Sequence, residues 1–136
     1  VGLHTGGSYP RRLAEVLDDV DWIGLDVKAS PRGYASVTGI AGSGEAARAS
    51  LHLVVASGVD HEIRTTVHPA LSTDDALVEL ADELASLGVR RWVLQPFRPT
   101  GCANEALVAA APRGARIGVG LIARLRERVP GVEIRE

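Results

Sequence analysis

The chain has 136 residues, 46% of them hydrophobic and 24% charged, with a net charge of −2. That balance gives no electrostatic footprint for nucleic acid or an anionic membrane, and no apolar run approaches the roughly 20 residues that span a bilayer. A lone cysteine, Cys102, allows no internal disulfide and no metal site built from several cysteines of this chain, and points to a reducing, cytoplasmic setting. The length fits one domain over residues 1–136. The chain contains no Met and opens at Val1 in an apolar run, which points to a cut N-terminus.

Taken in chain order, short β-branched runs alternate with amphipathic stretches. Val1 to Thr5 reads as a strand, followed by a helix over Pro10 to Val20, with Ser8 or Tyr9 before the proline. A second strand spans Trp22 to Lys28, and a Gly/Ser/Pro-rich connection over 29–43 leads to a helix over Gly44 to Ser57, with Ser43 at its start. Gly58-Val59 ends that helix and opens a third strand, His61 to His68. Ser72 precedes a helix over Thr73 to Leu87, where Asp74 and Asp75 meet the positive helix end. Gly88-Val89 then leads to a fourth strand, Arg91 to Pro96. A proline-containing connection over 97–114, a helix over Ala115 to Val129, and Gly131-Val132 opening a fifth strand over Val132 to Arg135 complete the chain. Each glycine after a helix is expected to take a positive φ. Strands separated by helices lie parallel through right-handed crossovers. Two architectures satisfy this: a doubly wound sheet, or a partial β/α barrel, an arc of four or five parallel strands with flanking helices.

The strands are polar at their carboxyl ends, where a sheet covered on both faces reads as continuous apolar sequence. Asp26 and Lys28 share one face of the second strand, opposite Ile23, Leu25 and Val27. Arg64, Thr66 and His68 share one face of the third, opposite Ile63 and Val67. His4 and Thr5 end the first run, and Gln95 nearly ends the fourth. As parallel neighbours these side chains converge at one end of one sheet face, where an unpaired charge costs several kcal/mol, so the cluster is wet, mutually paired or liganded. Each residue alone has an ordinary reading: a structural ion pair for Asp26 with Lys28 or Arg64, a satisfied loop carbonyl for His68, strand propensity for Thr65 and Thr66. Together they point to a site. Lys28 is the only lysine beside fourteen arginines, and its strand-end position also suits a Schiff-base lysine. Asp26 on the same face favours its ammonium form and argues against that. Gly42 to Ala47 fits G-x-G-x-x-A, yet no strand precedes it, so a helix cap is the better reading. The four histidines show no metal-ligand spacing, and Cys102 lies in a loop with no activating base in view.

His4-Thr5-Gly6-Gly7 with Tyr9-Pro10, Asp21 to Lys28, Tyr34 with Val37-Thr38-Gly39, Ile63 to Pro69, and Leu94 to Arg98 follow one another in an order that resembles the radical S-adenosylmethionine activases. The branch it is most similar to is the activating proteins of anaerobic ribonucleoside-triphosphate reductase, with pyruvate formate-lyase activating enzymes as cousins. The resemblance implies a six-strand partial barrel of which this chain supplies the third to sixth strands. A three-cysteine motif holding a [4Fe-4S] cluster and a Gly-Gly-Glu motif would precede Val1, and one cysteine cannot hold the cluster. It also implies that the cofactor-binding residues are His4, Thr5 and Gly6 at the first strand end, Asp26 and Lys28 near the ribose and carboxylate, Arg64 with Thr66 and His68 on the third strand, and Gln95 toward the adenine. His4 stands where Asp is commoner. The family chemistry is reductive cleavage of S-adenosylmethionine to a 5′-deoxyadenosyl radical that abstracts hydrogen from a glycine of the partner reductase. Two other readings stand beside it: a Lys28-dependent barrel aldolase, and a non-catalytic remnant or assembly module that pairs with another chain, or with itself as a homo-oligomer, through the Val1 to Thr5 edge strand.

Overall fold

A computed structural model describes residues 1–28, 43–68, 72–97 and 117–135. Its strands are β1 (Gly2–Thr5), β2 (Trp22–Asp26), β3 (Asp60–Val67), β4 (Arg91–Pro96) and β5 (Gly131–Ile134). The helices are α1 (Pro10–Val16), continued by a 3-10 turn over Leu17–Asp19, then α2 (Ser43–Ser57), α3 (Asp74–Ser86) and α4 (Val119–Arg128). Tyr34, Val37 to Gly39, Pro69, Arg98 and Cys102 lie outside the described residues, as do Gly42 and the start of the helix expected from Ala115.

All five strands are parallel and lie side by side in chain order, β1-β2-β3-β4-β5. A doubly wound sheet reverses direction at a switch point, so this order selects the β/α arc. Right-handed crossovers that always step the same way put every helix on the same face of the sheet. One core cluster forms there. Leu51 and Val54 of α2, Leu77, Leu80 and Leu84 of α3, and Leu125 of α4 meet Ile23, Leu25, Ile63, Trp92 and Leu94 of the strands, all at most 2% exposed. Leucines three and four residues apart make the apolar stripe of α3, and burying each contributes about 1.5–3 kcal/mol. Within this layer the Thr65 hydroxyl donates to Val27 O (2.6 Å) and accepts from the Trp92 indole N–H (2.9 Å), joining β2, β3 and β4 through a polar group that is itself fully buried.

Turn chemistry follows the expected pattern in part. Gly58 and Gly88 have φ of 74° and 81°, as expected after a helix. Gly131 is not among the positive-φ glycines: α4 ends through Val129 and Pro130, and Gly131 opens β5 as a strand residue. A glycine is needed there because a Cβ would lie 1.8 Å from Arg90 O of the neighbouring strand connection. At α3 the capping residue is Thr73, whose side chain accepts from Ala76 N–H at 3.1 Å. Ser72, expected in that position, accepts from His68 N–H at 3.0 Å instead.

Candidate functional site

Side-chain alternation along the strands directs Trp22, Gly24 and Asp26 of β2, Glu62, Arg64 and Thr66 of β3, Arg91, Val93 and Gln95 of β4, and Glu133 of β5 to the face away from the helices. Cross-strand partners His4↔Gly24, Asp26↔Arg64 and Thr66↔Gln95 confirm the common face. Val93 is fully buried there without belonging to the helix-side core. Every other residue of this set except Gly24 and Trp22 carries a polar or charged group.

At the carboxyl end of this face a cleft of ≈ 340 Å³ opens. His4, Thr5 and Gly6 come from β1 and its turn, Gly24 and Asp26 from β2, Arg64 and Thr66 from β3, and Gln95 from β4. The fold thus brings together most of the residues singled out in the sequence. Lys28 and His68 do not line it. Lys28 Nζ donates to Asp26 Oδ2 at 3.3 Å, and both side chains are more than 40% exposed, so the pair contributes little stability. His68 is 3% exposed, with its ring 4.5 Å from that of Phe97 in an edge contact.

The β1 turn is held by backbone demands. Gly7 has φ of 69°, and a Cβ on it would come within 2.8 Å of Ser50 Cβ. Its N–H donates to Thr5 Oγ1 (3.1 Å), and its carbonyl accepts from the Ser50 hydroxyl of α2 (2.7 Å). Gly24 leaves space on the cleft floor: a Cβ would lie 2.9 Å from the Trp22 ring and 3.0 Å from His4 Nδ1.

Arg64 is the best-restrained cation in the cleft. Its Nε donates to Glu62 Oε1 at 2.8 Å and its Nη1 to His4 Nδ1 at 2.9 Å, while its guanidinium carbon lies 5.5 Å from the centre of the Trp22 ring. His4 in turn meets Trp22 edge-on, with centroids 5.1 Å apart. Glu62, whose side chain is 4% exposed, also accepts from Arg135 Nη1 at 2.7 Å and has Arg91 Nη2 at 3.4 Å. Burial raises the Glu62 pKa, but hydrogen bonds from Arg135 and Arg64 and their positive charge outweigh it, holding the carboxyl below its ordinary 4.5. The same contact with Glu62 raises Arg135. Glu62, Trp22, Arg91 and Arg135 escaped the sequence reading. Glu62 stands two residues before Arg64 on one strand, as Asp26 stands before Lys28, and that spacing was the available signal.

The cleft sets a guanidinium, a carboxylate, an amide and two threonine hydroxyls around a volume at the small end of the roughly 300–1,000 Å³ of small-molecule sites. This set suits a polar ligand with a carboxylate for Arg64 and hydroxyls for Asp26. Among the described residues no group of three or more His, Cys, Asp or Glu is placed to hold a metal ion, and no helix is long and apolar enough to cross a membrane. The sequence matches no protein-family model, and no curated protein matches it significantly.

Proposed function

We propose that the cleft binds S-adenosylmethionine and that this chain is the cofactor-orienting part of a radical S-adenosylmethionine activase, whose partner is a glycyl-radical enzyme of the anaerobic ribonucleotide reductase type. The observation that carries the reading is the convergence of Thr5, Asp26, Arg64 and Gln95, from four successive strands, on one cleft at the carboxyl end of a β/α arc. These are residues that the sequence resemblance marks for the cofactor. In this reading Arg64, with Lys28 at the rim, takes the methionyl carboxylate, Asp26 accepts from ribose hydroxyls, and Gln95 faces the adenine. The cofactor supplies the radical source when it is reduced. The reducing [4Fe-4S] cluster does not fit this chain, because such clusters are held by several thiolates and the sequence has one cysteine. This chain's residues therefore bind and orient, and a reducing cytoplasm suits that chemistry.

Titration of the ¹⁵N-labelled chain with S-adenosylmethionine tests the reading. Amide signals of Asp26, Lys28, Arg64 and Gln95 are expected to shift in the wild type and to stay still in Arg64→Ala. Indifference of all four at millimolar cofactor, with the spectrum otherwise that of a folded chain, refutes it.

A further inference from the structure

Glu62 lies under the cleft without lining it. Building on the reading above, we propose that Glu62 is a positioning residue that fixes the Arg64 guanidinium, so that a ligand carboxylate meets only its outer edge. Three observations converge on this. First, Glu62 Oε1 accepts from Arg64 Nε at 2.8 Å, which closes the side-on Nε edge of the guanidinium to any ligand and leaves the terminal nitrogens. Second, the same carboxylate holds Arg135 (2.7 Å) and faces Arg91 (3.4 Å), so it neutralises two guanidinia from the β4 and β5 side that would otherwise repel Arg64. Third, the remaining restraints on Arg64 are a ring nitrogen of His4, which is exposed, and the face of Trp22, neither of which carries a negative charge.

A long arginine side chain loses rotamer freedom when it grips a ligand. Glu62 imposes that loss during folding, so the cleft meets its ligand with the cation already aimed. A carboxylate that served only to hold the sheet together would make the same bonds without affecting ligand choice, and the two roles separate in a binding experiment that varies the ligand's carboxylate.

The full chain, with ¹⁵N-labelled arginine, is compared as wild type, Glu62→Gln and Glu62→Asp, with the Arg64 Nε–H signal assigned by its loss in Arg64→Lys. Fast exchange of this proton in Glu62→Gln, against slow exchange in the wild type, is expected. Binding of S-adenosylmethionine should weaken by about tenfold in Glu62→Gln, the low end of what losing an orienting outer partner costs at metal sites, and recover in part in Glu62→Asp. Binding of 5′-methylthioadenosine, which has no carboxylate, should be unchanged. Equal loss for both ligands, or an Arg64 Nε–H indifferent to Glu62→Gln, overturns the proposal. If Glu62→Gln does not fold, the wild type decides: Arg64 Nε–H must exchange more slowly than Arg91 Nε–H, and equal rates overturn it. A wild type that binds neither nucleoside removes the proposed function, while the exchange comparison still decides whether Glu62 fixes Arg64.

Discussion

Arg64 always donates, so the 2.9 Å contact with His4 Nδ1 fixes the state of the histidine: Nδ1 accepts, and the ring proton sits on Nε2. Long-range ¹⁵N–¹H spectra at neutral pH should report the Nε2–H form for His4, and a Nδ1–H form there would show that the pairing is absent in solution. In Arg64→Gln the tautomer preference should relax, because the amide side chain can both donate and accept. His4 was legible in the sequence as a strand-end polar residue, but its partner was not. Arg64 lies sixty positions away, and only the β1-β2-β3 register brings them together.

Elements obey a simpler logic, and more of it was readable. The alternation of strands and helices predicted four or five parallel strands, and the structure returns five, with shifts of a residue or two at the ends. Gly58 and Gly88 take the positive φ expected of them. Gly131 misled because two pressures select glycine, left-handed backbone and close approach, and only coordinates separate the two. Ser72 and Thr73 are equally good caps by type, and the choice between them is made by His68 N–H, which captures the Ser72 hydroxyl. Thr65 looked like an ordinary strand residue, yet it is the polar tie between three strands. Thr65→Val keeps its shape and leaves the buried Trp92 N–H without its acceptor. A loss of about 1–3 kcal/mol is expected, measured as a lowered urea midpoint with an unchanged slope. A loss below about 0.5 kcal/mol, the scale of a neutral surface change, would mean that the indole finds another partner.

At the scale of the whole molecule, the sheet has one apolar face under helices and one polar face laced with ion pairs. The order of strands was the undecided point in the sequence, since both architectures share the same helix–strand alternation. It is settled by which strands are neighbours, a property no local pattern encodes. The polar face gives the fold an acid sensitivity of definite sign. Because Glu62 is held below its ordinary 4.5 in the folded chain, it contributes stability that is full above about that pH and disappears as pH falls through the lower folded value. Urea midpoints measured across that window should fall steeply in the wild type and less steeply in Glu62→Gln. Parallel profiles would place the acid sensitivity in other carboxylates.

The single hydroxyl of Ser50 has a mechanical consequence. One wall of the cleft, the Thr5–Gly6 turn, hangs from it through Gly7 O, and Ser50 sits in the middle of a fifteen-residue helix that packs beside α1. The turn at one side of the cleft is thus tied to the helix layer on the far face of the sheet. Ser50→Ala would remove the donor to Gly7 O and release that wall from the helix layer.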